Sequence, residues 1–242
     1  MAKKSWHKIN PEFYQSTLDQ MRYAFPELQS AEKFERIFFQ GPFYLMYEGS
    51  EIERFEIEVE LPIDFPKGIP VVRELEGKID RSEHYHTGKD GTHCLFVPGE
   101  RWKYWPEGST LVEFMEGVVR SFYIGFEHKK RIGSWPFDQR GHSEKGVFEA
   151  YSEMLGFSDP EVILAFIRIL AEKDSKKHRL CPCGSGEKSR NCHGDFIDDW
   201  RSKISSGEAK QVLNTVERYI ASKNIIQQRN NVNLQRALDS LK

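Results

Sequence analysis

Two groups of residues in this 242-residue chain have the types and spacing to do chemistry. The first is CPCGSGEKSRNCHG, which places Cys181, Cys183, Cys192 and His193 close together in sequence. Three thiols and an imidazole suit a tetrahedral zinc ion, and the Gly184-Ser185-Gly186 turn lets both ends of the segment reach one ion. Four protein ligands leave no position for water, so the expected cofactor is a structural zinc and not a catalytic one. The second is DGTHCLFVPGERW, residues 90–102, which holds the remaining cysteine, Cys94. A lone cysteine is ordinarily a small buried hydrophobe. Here His84, His86 and His93 lie nearby and Gly91 loosens the turn, which suits a thiolate that attacks a bound carbonyl.

The elements that must position these residues are legible from periodicity. NPEFYQSTLDQMRYAF sets Tyr14, Leu18, Met21 and Phe25 on one helical face after an Asn10-Pro11 start. GPFYLMYEG and RFEIEVELP alternate apolar and polar residues, predicting two strands joined by the turn EGSEIER, and IPVVRELEGKI predicts a further strand. Between Asp80 and Gly108 periodicity stops in a stretch rich in glycine, histidine and tryptophan, as a functional loop would be. It resumes in STLVEFMEGVVRSFYIGF, where Leu111, Phe114, Met115, Val118, Val119, Phe122 and Tyr123 predict a central buried helix with a Thr110/Glu113 capping box. GVFEAYSEMLGF and DPEVILAFIRILAEK predict two more helices, and the residues after the cysteine cluster predict one or two polar ones.

Composition narrows the function classes. With 35 basic and 37 acidic side chains and a net charge of −2, no basic footprint points to nucleic acid or an anionic membrane. The N-terminal MAKKSWHKINPEF lacks the apolar stretch of a secretion signal, and the run EVILAFIRILA is short and broken by Arg168, so a soluble protein of the reducing cytoplasm is expected. Four cysteines, three in metal-ligand spacing, do not form the disulfide framework of a small secreted domain.

The spacing Cys-x-Cys, eight residues, Cys-His, with GSG inside and Gly194 at the end, resembles the SEC-C zinc motif found at the tail of the preprotein translocase ATPase. The resemblance implies a small docking module. The translocase itself is excluded because the chain has no GxxxxGK[ST] phosphate loop.

Around Cys94 the order of residues resembles ubiquitin-conjugating enzymes. His84 stands ten residues before Cys94, Gly91 three before, Leu95 directly after and Trp102 eight after, with Pro106 ahead of the helix. Upstream, FEIEVELPIDFPKGIPVV is similar to that family's strand, its Pro turn at Phe65-Pro66 and its Pro70-Val71 strand entry. The family's Asn is replaced by His86 and its Pro by Tyr85. The resemblance implies an α+β ubiquitin-conjugating-enzyme-like fold: an N-terminal helix, a four-stranded antiparallel meander, an active-site loop and C-terminal helices. It implies a catalytic role for Cys94. His86, standing where the family has Asn, is a candidate catalytic residue on its own chemistry, as donor to a developing oxyanion or support for the loop. The expected division is 1–175 for the catalytic domain, 176–196 for the SEC-C motif and 197–242 for a C-terminal helical segment.

The expected activity is an acyl transfer: a thioester forms on Cys94 and passes to an amine of a target protein. In bacteria the resemblance extends to antiphage operons, CBASS among them. It implies as partner a ubiquitin-like modifier or the C-terminus of a cyclic-oligonucleotide synthase, with a separate activating enzyme where one is used, and neither nucleic acid nor membrane. Asp90, Glu100 and Glu107 are the acids available to depress the pKa of an incoming amine. The chain ends in LDSLK, without the terminal glycine of a modifier. The alternatives are a noncatalytic module that binds a ubiquitin-like protein and a Cys-His deconjugating hydrolase.

Overall fold

The computed structural model describes residues 4–97, 99–136, 141, 143–174 and 177–239, with the side chains of 143 and 224–239 left aside. It is α+β and divides into two compact units, one of residues 1–96 and 103–139, the other of residues 97–102 and 140–242.

The first unit begins with α1, Trp6–Ile9, and α2, Pro11–Ala24. Pro11 takes the first helical position, and the Asn10 side chain caps α2 by accepting the Phe13 N–H at 3.1 Å. Leu18 and Met21 are buried, with Tyr14 and Phe25 half-buried on the same face. The sheet follows as β1 Gln29–Lys33, β2 Arg36–Tyr47, β3 Ser50–Leu61 and β4 Val71–Glu74, antiparallel in the order β1-β2-β3-β4. One face buries Ile37, Phe39, Phe43 and Leu45 of β2 with Phe55, Ile57, Val59 and Leu61 of β3. On the other, Arg73 donates to Glu58 at 3.2 Å and to Glu60 at 2.9 Å, which pairs the acids that alternate along β3.

Two features of the sheet depart from the sequence reading. The β2–β3 connection is tight, Glu48-Gly49 with φ of 50° and 79°, so most of EGSEIER belongs to β3 and not to a turn. β1, the polar QSAEK, went unseen by periodicity because all five of its residues are exposed.

The inner face of the sheet meets the central helix. After a single-turn α3, Arg101–Tyr104, it runs as α4 Leu111–Phe114, a π turn Met115–Val119 and α5 Arg120–Ile132. Both arms of the expected capping box form: the Glu113 N–H donates to Thr110 Oγ1 at 3.2 Å and the Thr110 N–H to Glu113 Oε2 at 2.8 Å. Of the expected core face, all but Val118 are buried, and Tyr123 lies 4.4 Å from the Phe55 ring. Trp105 closes the end near the cis Phe65–Pro66 bond by donating its indole N–H to the Pro66 carbonyl at 2.8 Å.

The second unit holds α6 Ser143–Leu155, α7 Pro160–Ala171, the Cys/His turn, α8 Gly194–Lys203 and α9 Ser206–Asp239. Tyr151, Ile163, Phe166, Ile167, Ile197, Trp200 and Val212 share one core with Cys181. The domain boundary expected at 175–176 falls outside the described residues, and α6 and α7, expected with the catalytic domain, share a core with the cysteine segment instead. The cause is the apolar face of α7, which meets α9. The short segment Val97–Trp102 also belongs here.

Candidate functional site

Two sites are built, one in each unit. In the second unit, Gly184 and Gly186 adopt φ of 80° and 79°, a region open to glycine, and fold the segment back on itself. The Cys181 N–H donates to the Glu187 carbonyl at 2.7 Å, and Leu180 bridges to Lys188. A 3₁₀ turn, Ser189–Asn191, then delivers Cys192 and His193. The ligand atoms of Cys181, Cys183, Cys192 and His193 all lie within 4.8 Å of one another. Cys183 Sγ is 3.6 Å from Cys192 Sγ, and His193 Nδ1 is 3.2 Å from Cys181 Sγ and 3.1 Å from Cys192 Sγ. A tetrahedral zinc with bonds of about 2.3 Å to sulfur and 2.0 Å to nitrogen needs edges of about 3.5–3.8 Å, so the four donors fit one after small shifts, outward for the closest pairs and inward for the widest. The Ser185 hydroxyl draws the Cys183 thiol down to about 6, towards the thiolate a metal takes, while burial holds Cys181 up.

The first unit carries Cys94 in the loop between β4 and the central helix. Its side chain is exposed. The preceding 3₁₀ turn, Glu83–Tyr85, ends at His86 in the left-handed region, φ 50° and ψ 39°, and the Cys94 N–H donates to the His86 carbonyl at 2.7 Å. The loop partly desolvates the thiol and pushes its pKa above the ordinary value, and the negative charges of Asp90 and Glu83 act the same way.

The three histidines separate. His93, adjacent to Cys94, turns into the core, where its ring lies 3.0 Å from Thr87 Oγ1 and 3.1 Å from Tyr123 Oη and stacks on Phe122 at 4.4 Å. Burial pushes its pKa down to about 3, so it is a neutral core residue. The His84 side chain is exposed. His86 is joined to Cys94 through its backbone, while its ring sits edge-on to Trp135 at 5.1 Å. Of the three acids, Glu107 is exposed, Asp90 accepts from the Thr92 N–H and hydroxyl at 3.0 Å each, and Glu100 is buried in the second unit. Phe96 stacks on Tyr104 at 5.2 Å.

One positioning group was missed in the sequence. Lys129 of α5 is 5 % exposed, and its Nζ donates to the His84 carbonyl at 2.9 Å while standing 5.0 Å from the Tyr85 ring centroid and 5.4 Å from that of Trp135. Trp135 donates to the same carbonyl at 3.3 Å. A buried ammonium between two rings thus fixes the turn on which the Cys94 loop hangs. Its signal was the stripe Phe122, Phe126, Lys129, in which a lysine continues a buried helical face at positions i, i+4 and i+7.

Residues 180–195 match the SEC-C motif, a zinc-binding type, and they contain the whole Cys/His cluster. No curated protein and no solved structure is detectably similar to the chain. No helix among the described residues is long and apolar enough to cross a membrane.

Proposed function

We propose that the chain is a ubiquitin-conjugating-like acyltransferase with a structural zinc module. The observation that carries this reading is the placement of Cys94: an exposed thiol on a loop after a four-stranded meander and before a central helix, in the order that resembles ubiquitin-conjugating enzymes. The Cys94 thiolate attacks the carbonyl carbon of a modifier held as a thioester on an activating enzyme. A new carbon–sulfur bond forms, and the donor sulfur leaves as a thiol with the proton. An amine then attacks the Cys94 thioester, the amide forms, and the sulfur leaves with a proton from the amine. His86 supports the loop through its carbonyl, and its ring is the candidate donor to the oxyanion. The modifier is a ubiquitin-like protein or the C-terminus of a cyclic-oligonucleotide synthase, in antiphage defence of the CBASS kind within the cytoplasm.

The Cys-His hydrolase is the weaker reading. Such an enzyme needs a thiol pKa lowered by an imidazolium, whereas the Cys94 thiol is raised and the neighbouring His93 is neutral in the core. Intact mass after incubation with activating enzyme, ATP and modifier separates the possibilities. A thiol-reducible adduct on the wild type, an oxyester on Cys94→Ser and none on Cys94→Ala are expected, with His86→Ala slowing transfer to amine more than loading. An adduct on Cys94→Ala moves the chemistry elsewhere, and rapid release of free acid favours the hydrolase. At the other site, Cys181, Cys183, Cys192 and His193 hold about one zinc per chain. Metal analysis of Cys183→Ser checks this, since undiminished zinc there removes the assignment.

A further inference from the structure

We infer that metal occupancy of the Cys181/Cys183/Cys192/His193 cluster governs the order of the Cys94 loop, through the strap Val97–Trp102. The inference rests on metal binding at the cluster and is independent of the acyl-transfer reading.

The strap is built into the unit that contains the cluster, although Cys94, three residues before it, belongs to the other unit. Val97 and Trp102 pack on the same apolar core as Cys181 and Trp200. Gly99 is buried with φ 93°, so close to Tyr151 that an added Cβ would overlap its hydroxyl. Arg101 reaches to 4.0 Å from Glu208 at the start of α9. The Trp102 ring meets Trp200 edge-on at 5.6 Å, and Lys203 Nζ stands 5.2 Å and 5.0 Å from the two ring centroids.

Trp200 and Lys203 both lie on α8, and α8 starts at Gly194, directly after the ligand His193. The His193 ring meets Phe196 at 5.8 Å, and Phe196 meets Trp200 at 6.3 Å. A continuous aromatic path therefore runs from the metal ligand to the strap. Coordination of the cluster is folding free energy for the segment that contains it. Removal of the metal frees three thiols and the imidazole that starts α8, so the ten-residue helix loses its fixed end and Trp102 loses its wall. A loose strap leaves the chain after Cys94 held only by Leu95 and Phe96, which are half-buried against the core of the first unit.

The test uses the full-length chain, as purified and after chelation under reducing conditions, with metal content measured in parallel. Amide exchange is followed by mass spectrometry on the peptide Asp90–Arg101 and on peptides from the cluster and α8. Chelation is expected to speed exchange at residues 95–101 by at least about fivefold, the equivalent of roughly 1 kcal/mol of local stability, and one equivalent of zinc to restore it. In Trp102→Ala, exchange there is fast with or without metal, while Trp102→Phe, which keeps a ring, retains the response. Melting curves confirm that both variants are folded. Unchanged exchange at 95–101 while the cluster and α8 open overturns the coupling alone. A chain that takes up no zinc overturns it together with the metal assignment.

Discussion

Replacement of His93 by Gln should remove a specific part of the acid sensitivity of this protein. The His93 ring is buried at 5 % exposure between Thr87 and Tyr123, and burial holds its pKa near 3 against an ordinary 6.5. The folded state therefore refuses a proton that the unfolded chain accepts. Its contribution is fully present above pH 6.5 and is lost as pH falls towards 3. Between pH 7.5 and 5.0 only the unfolded imidazole titrates, which lowers stability by about 2 kcal/mol, and by pH 3 the loss grows to about 4 kcal/mol. For a chain of this size 2 kcal/mol is a fall of about 4–8 °C in Tm. Gln is neutral at every pH and offers both a donor and an acceptor to Thr87 and Tyr123, so His93→Gln should start lower at pH 7.5 but fall less by pH 5.0, the difference between the two slopes being about 2 kcal/mol. Denaturant unfolding at the two pH values, for wild type and variant, measures that difference. Equal falls in both proteins would refute the buried neutral imidazole, and with it the argument that His93 is not the base for Cys94.

Other expectations follow from the same contacts. Lys129→Met keeps the stem but loses the bond to the His84 carbonyl, and should cost about 1.5–3 kcal/mol in denaturant unfolding, with Lys129→Arg costing less. Gly99→Ala meets the Tyr151 hydroxyl at a positive φ and should lose about 2–4 kcal/mol; removing that hydroxyl in Gly99→Ala/Tyr151→Phe should recover part of it, read as Tm. The rate of Cys94 alkylation, followed on its tryptic peptide as pH rises, should reach half its maximum above the ordinary thiol pKa, and a midpoint near neutrality would contradict the desolvated thiol.

The parts legible in the sequence are those that bury one face. The alternation along β3 and the three- and four-residue steps from Leu111 to Tyr123 reported a core directly, and the paired glycines among the cysteines reported a turn that brings four ligands together. β1 buries nothing, and its turn to β2 uses Phe34 and Glu35 at φ of 52° and 62° in place of the Gly or Asn that marks such turns. The unit boundaries were hidden for a different reason. An apolar stripe such as that of α7 states that a partner exists without naming it, and Val97–Trp102 carries too few residues for any periodicity, so its membership of the cysteine unit is a property of packing alone. The histidines near Cys94 show the same limit, since adjacency in sequence says nothing about which way a ring turns.

The separation of those histidines bears on what the exposed thiol can do. A nucleophile that must attack unaided substrates needs its proton removed in place, and neither the core position of His93 nor the carboxylates of Asp90 and Glu83 lowers the pKa of Cys94. A carrier meets a different requirement. Its acyl group arrives already activated, and thiol exchange favours departure of the sulfur with the lower pKa. Under the carrier reading, the raised pKa of Cys94 therefore favours residence of the acyl group on its sulfur in exchange with a donor thiol of lower pKa. The loop is tied on both sides of Cys94: its backbone N–H donates to the His86 carbonyl, Lys129 holds the turn before it, and residues 97–102 after it belong to the unit of the Cys/His cluster. If both the carrier reading and the metal coupling hold, a zinc at the Cys/His cluster would bear on the thioester only through the order of that loop, since none of its four candidate ligands is Cys94.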